Sequence, residues 1–82
     1  MNYKTIRYET IEKGLMHLML NRPESYNAIN HLMMEELEDF WKERLYDLET
    51  VVIIFSGAGE KGFCAGLDMK EIMETAAKMS PA

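Results

Sequence analysis

Between Tyr3 and Ile11 apolar and polar positions are mixed. In an extended chain Ile6 and Tyr8 share one face, and Thr5, Arg7 and Glu9 the other. Glu12-Lys13-Gly14 supplies a turn, and Leu15 to Leu20 follows as a more apolar strand. Together they predict a hairpin of one half-exposed and one better-buried strand. Asn21 to Asn30 is expected to be a loop, because Pro23 lacks the N–H that a strand ladder needs. Asn30 is the expected N-cap of a helix from His31 to Asp47. Met33, Leu37, Phe40, Trp41 and Leu45 form its apolar stripe. Glu35, Glu36 and Glu38 are expected to be charges on its surface, none of them a catalytic acid. Val51 to Phe55 is an unbroken apolar run, mostly β-branched, as expected of a parallel strand covered on both faces. A last helix opens at Asp68, with Met69, Ile72, Met73 and Ala76 at helical spacing. Asp68 is its natural N-cap, and Glu71 completes a capping-box-like pair. The order β-β-α-β-loop-α predicts an α/β fold with a right-handed crossover. No repeat, linker or low-complexity tract divides residues 1–82, so no internal boundary is expected.

Composition narrows this picture. A chain of 82 residues buries only about 60–65% of the surface its unfolded form exposes, so its core is small. The formal net charge of −5 argues against a nucleic-acid or anionic-membrane surface. A single Cys excludes an intramolecular disulfide framework and fits a reducing, cytoplasmic compartment. No apolar run approaches a membrane span, and no apolar segment of a secretory signal follows the first residues. Eight Met in so short a chain fit a core that is loosely specified or incomplete.

The chemistry concentrates between Ser56 and Glu71. A strand runs into a loop holding Gly57, Gly59, Gly62 and Gly66, and the loop ends at a helix start. That arrangement brings free backbone N–H groups and a helix N-terminus to the strand's carboxyl end, a setting suited to a phosphate or a developing oxyanion. Lys61 and Lys70 add local positive charge, although each also fits a solvated surface lysine. Gly57 to Gly62 literally matches the G-x-G-x-x-G of dinucleotide folds. However, the helix starts near Asp68 and no second strand with an acidic residue follows. A phosphate loop is excluded, because no Gly-Lys-Ser/Thr closes it. Cys64 has no neighbouring His and is expected to be a small buried residue. His17 and His31 are expected at the surface or in a cap, with no metal-ligand spacing.

Two blocks of this sequence resemble the crotonase superfamily, the enoyl-CoA hydratase/isomerase group. The first is Leu20-Asn21-Arg22-Pro23, then Asn27-Ala28-Ile29-Asn30, Met33 and Glu36-Leu37. The second is Ser56-Gly57, then Phe63-Cys64-Ala65-Gly66-Leu67-Asp68-Met69-Lys70-Glu71. The resemblance implies a partial ββα turn of the crotonase spiral and an acyl-CoA thioester substrate, with coenzyme A as part of that substrate and no separate cofactor. It implies that the Leu67 backbone N–H supplies one donor of an oxyanion hole for an enolate. It also implies that Ala65, Gly66 and the Leu67, Asp68 and Met69 backbone line the ligand path. Lys61 and Lys70 match positions near the CoA phosphates, and Glu24, Ser25 and Tyr26 a loop bordering the ligand. Gly62 stands where Ala is common. The family's second oxyanion donor lies in a later G-G-G segment and its catalytic Glu residues after that, and neither is found here. The expectation is therefore the N-terminal portion of a trimer-based enzyme, inactive by itself. The alternative is a complete, non-catalytic module that binds CoA or a sister subunit.

Overall fold

A computed structural model describes residues 2–60 and 62–78. Strands β1 (Ile6–Glu12) and β2 (Leu15–Leu20) form the expected hairpin. A 3₁₀ turn over Pro23–Ser25 leads into helix α1 (His31–Arg44); strand β3 (Val52–Gly57) and helix α2 (Met69–Lys78) follow. The sheet order is β1-β2-β3, with β1 antiparallel and β3 parallel to β2. The chain returns from β2 to β3 through α1, so the expected α/β class is observed.

Alternation along β2 places Met16, Leu18 and Leu20 in the core, while Leu15, His17 and Met19 face the opposite side. Ile6 from β1 and Met33 and Phe40 from α1 complete the buried cluster, and Leu37, Ile53 and Cys64 pack against it. The Asn30 side chain caps α1 by accepting the Met33 N–H at 2.9 Å, as predicted. The helix ends at Arg44, earlier than predicted. Asp47 instead accepts the N–H groups of Glu49 and Thr50, both at 3.0 Å, and turns the chain toward β3.

The helix face differs from prediction at three residues. Trp41 lies one step round from Phe40 and rests edge-on against its ring, half out of the core. Leu45 lies beyond the helix end and is exposed. Their place is taken by Glu36, which is 1% exposed instead of solvated. Its carboxylate accepts the Lys4 N–H (2.8 Å), the Thr5 N–H (2.7 Å) and the Thr5 hydroxyl (2.5 Å). Three N-terminal groups that precede the ladder are thereby satisfied by one side chain. Arg44 closes the same face, its guanidinium 4.5 Å from the Phe40 ring centroid.

β3 also departs from prediction. The run was expected to be covered on both faces, yet Val52, Ile54 and Phe55 are each about half exposed and Val51 more so. Only Ile53 reaches the core cluster. The reason is position: among the described residues β3 lies at the end of the sheet, paired only with β2, and Val52 and Ile54 on the face away from the core are exposed.

Burial disfavours the charged form of Glu36, but the hydrogen bonds from the Thr5 hydroxyl and the Lys4, Thr5 and Ile6 backbone outweigh it. Its pKa is held below the ordinary glutamate range. Its stabilising contribution is therefore complete above that ordinary range and lost as the pH falls through the depressed folded value. In urea unfolding at neutral pH, Glu36→Gln is expected to cost about 2–3 kcal/mol, since an amide turns a donor toward donors. The variant's stability should also fall less steeply in acid. A loss under about 0.5 kcal/mol would show that the carboxylate does not hold the N-terminal segment.

Candidate functional site

Two irregular segments, 21–30 and 58–68, lie against each other beyond the carboxyl ends of β2 and β3. Asn27 is 1% exposed and ties them together. Its side-chain oxygen accepts the Arg22 N–H at 2.8 Å, and its amide donates to Ala58 O (2.9 Å) and Gly62 O (3.2 Å). Asn27 holds φ at 57°, a left-handed conformation that Asn tolerates better than most residues. The Arg22 guanidinium reaches Ala28 O at 2.6 Å, Asp68 at 3.2 Å and the Ser25 hydroxyl at 3.4 Å. Gly57 is required where the segments meet: a Cβ there would lie 2.1 Å from Phe63 O.

Backbone bonds complete the junction. Ala65 N–H donates to Tyr26 O (3.0 Å), Ile29 N–H to Gly66 O (2.7 Å), and Asp68 N–H to Ile29 O (2.8 Å). The last two make a parallel bridge between Ile29 and Leu67. In such a bridge Ile29 uses both its polar groups, so Leu67 turns its own N–H and C=O away from Ile29. Among the described residues the Leu67 N–H has no acceptor within hydrogen-bonding distance. Gly66 carries φ of 91°, a conformation that L side chains rarely adopt, and this turn sets the orientation of Leu67.

Asp68 caps α2 as predicted, accepting the Glu71 N–H at 3.1 Å. That bond first, and then Arg22, hold its carboxyl below the usual aspartate range despite a desolvation penalty. The predicted capping box does not close. The Glu71 carboxylate instead accepts the His31 N–H, at 2.5 Å, at the start of α1. A mostly apolar groove of about 430 Å³ lies between the two helix starts, lined in part by Ile29, Met34, Leu67, Ile72 and Ala76. A second hollow of about 220 Å³ is lined by Pro23, Tyr26, Asn27 and the glycine loop.

The predicted site residues therefore divide. Tyr26, Ala65, Gly66, Leu67 and Asp68 are brought into one junction. Glu24 and Ser25 lie in the adjoining 3₁₀ turn. Met69 and Lys70 open α2, exposed. Lys61 lies outside the described residues. Cys64 is half-buried, and its sulfur accepts the Gly66 N–H at 3.3 Å. Sequence reasoning assigned no positioning role to Arg22 or Asn27. Both stand inside the quoted motif blocks, and both are residue types suited to satisfying loop carbonyls, which was the available signal.

A separate cluster, Glu9–His17–Ser56, spans the outer face of the sheet. His17 Nε2 is 2.6 Å from the Ser56 hydroxyl, and Nδ1 is 4.0 Å from Glu9. His17 thus links strands instead of merely capping a surface. The neighbouring N–H groups belong to the ladder, so no donors converge on a reacting carbonyl there. Among the described residues no group of His, Cys, Asp and Glu could hold a metal ion. No described helix is long and apolar enough to cross a membrane.

This junction of an N-A-I loop with a glycine loop opening a capped helix defines a class. Residues 15–82 match the family model described as enoyl-CoA hydratase/isomerase. The chain belongs to that family. It is 34% identical over 71 residues to the mouse (Mus musculus) mitochondrial Delta(3,5)-Delta(2,4)-dienoyl-CoA isomerase, covering 87% of this chain and 21% of that protein. It is 34% identical over 61 residues to the (E)-benzylidenesuccinyl-CoA hydratase of Thauera aromatica, covering 74% of this chain and 24% of that one. Its fold matches the crystal structure of an enoyl-CoA hydratase from Bacillus anthracis at a TM-score of 0.82 and 30% identity, over 93% of this chain and 31% of that chain. An enoyl-CoA hydratase/isomerase from Xanthobacter autotrophicus Py2 matches at 0.80 and 35% identity, over 90% and 27%. The crotonase-like ββα arrangement is thus the observed fold, and the chain spans about a fifth to a quarter of the length of these curated relatives.

If Asn27 is the tie, Asn27→Asp should break it selectively. The Arg22 N–H keeps its acceptor, while a carboxylate oxygen is set against Ala58 O and Gly62 O. Urea unfolding should show a loss of about 2–4 kcal/mol. Amide exchange should accelerate between Ala58 and Gly66 more than in β1 and β2. Equal acceleration everywhere would assign Asn27 a general packing role instead.

Proposed function

We propose that the chain is the N-terminal portion of an enzyme that binds an acyl-CoA thioester and stabilises its enolate, in a hydration or a double-bond shift. The carrying observation is the Leu67 N–H, unspent between two committed neighbours and next to the capped start of α2. A donor fixed before reaction loses no energy to reorganisation when negative charge develops on the thioester oxygen. The macrodipole of α2 favours the same charge. The names of the relatives, an isomerase and a hydratase of CoA thioesters, fit this chemistry. The acyl group would lie in the apolar groove beside Leu67. Tyr26 and the Ala65–Met69 backbone would border the ligand, with Glu24 and Ser25 at its margin and Lys61 and Lys70 near the CoA phosphates. Coenzyme A would arrive as part of the substrate, with no separate cofactor, and assembly of the whole protein would be trimer-based.

On this reading the portion binds but does not turn over substrate. The carboxylates nearest the groove are already engaged: Asp68 holds the α2 cap and Arg22, and Glu71 holds the His31 N–H. A general acid or base must come from other residues of the whole enzyme.

The test is Leu67→Pro in the whole enzyme, with Leu67→Ala as its companion. Proline removes the donor and should lower kcat by roughly 100-fold or more. Alanine keeps the N–H and should change kcat far less than KM. Wild-type turnover in a folded proline variant would overturn the oxyanion assignment.

A further inference from the structure

We propose, resting on the oxyanion reading of Leu67, that Arg22 is a positioning residue for that N–H and that its charge reaches the donor through two peptide groups. Arg22 Nη1 donates to Ala28 O at 2.6 Å. That carbonyl and the Ile29 N–H belong to one peptide group. The Ile29 N–H donates to Gly66 O at 2.7 Å. Gly66 O in turn shares its peptide group with the Leu67 N–H. No peptide bond among the described residues is cis, so in each group C=O and N–H point to opposite sides. The row therefore runs one way. It starts at the guanidinium, passes through the Ala28–Ile29 and Gly66–Leu67 groups, and ends on the unspent N–H of Leu67.

Each link strengthens the next. A peptide group is polarised by resonance, and a cation on its oxygen draws further electron density from its nitrogen. The N–H becomes a better donor, and hydrogen bonds in such a row reinforce one another. Both links are shorter than the usual N–H···O separation of about 2.9 Å. The guanidinium is also held in place. Its side chain is 15% exposed, which limits screening by water. Asn27 pins the Arg22 backbone twice, accepting its N–H and donating to its carbonyl, each at 2.8 Å. Nη1 also reaches Asp68 at 3.2 Å, and the Asp68 N–H donates to Ile29 O at 2.8 Å. Arg22 thus acts on both flanks of Leu67. Its shorter bond goes to the neutral Ala28 carbonyl, not to the carboxylate.

Difference infrared spectroscopy of the whole enzyme tests this, with butanoyl-CoA isotopically labelled at the thioester carbonyl. The saturated thioester offers that carbonyl without a double bond to react. Binding should move its band to lower frequency, because a donor draws electron density onto the oxygen. Arg22→Gln should lose roughly a quarter or more of the shift. It should lower kcat for an enoyl-CoA by roughly 10-fold, with KM within about threefold. Arg22→Lys keeps the charge and a donor and should lose less. A residue that merely holds the loop would change stability or KM and leave the band of the bound thioester in place. A full shift in folded Arg22→Gln, where Leu67→Pro diminishes it, overturns the relay and spares the oxyanion reading. A folded lysine variant with a shift as small as that of Leu67→Pro also overturns the relay, because charge is then not what is transmitted. So does Asp68→Asn if it reproduces the whole effect of Arg22→Gln, since the route is then the ion pair. No shift in the unaltered enzyme, or a full one in Leu67→Pro, overturns the oxyanion reading and the relay with it.

Discussion

The side chains of Asn27 and Arg22 tie together two stretches of backbone whose own pairing is limited to the single Ile29–Leu67 bridge and its flanking bonds. Residues 21–30 and 58–68 are irregular, and their carbonyls would be costly to leave unpaired where the segments meet. Asn27 has both a donor and an acceptor on a short, nearly rigid group, and it is buried between the two loops. Arg22 spreads its donors over Ala28, Ser25 and Asp68. Because Arg22 touches the N-cap of α2, the loop after β2 and the start of α2 cannot shift independently. The close approach at Gly57 and the turn at Gly66 are useful only while this junction is held.

A second link crosses the same region. Glu71 belongs to α2, yet it satisfies the first N–H of α1. The two helix N-termini are thus joined by a hydrogen bond beside the groove between them. Its apolar lining then depends on which residues α1 and α2 present there, mainly Met34, Ile72 and Ala76. The Asp68 and Glu71 carboxylates around the groove serve the architecture.

Local signals were read well from the sequence. The hairpin with its better-buried second strand was legible, and Asn30 and Asp68 were recognisable as caps because capping depends on a few adjacent residues. What failed depended on distant partners. Glu36 has the character of a surface charge until Lys4 and Thr5 are brought to it. The apolar run of β3 implies two covers, but the composition of a strand does not say which neighbours accompany it. Glu71 had the spacing of a capping box, and a competing acceptor role at His31 won. Arg22 and Asn27 were visible as motif letters, while their work as ties required the fold.

The Ile29–Leu67 bridge separates two properties that usually sit together in one residue. The donor at Leu67 is main-chain, and its orientation follows from the pairing parity of Ile29, not from the leucine itself. The side chain at that position is therefore free to vary without altering the donor, provided it is not proline. It also lines the groove. Under the proposed oxyanion role, reactivity would be written in the backbone and selectivity in the substituent, so that one position would diverge toward new ligands while its N–H stays unchanged.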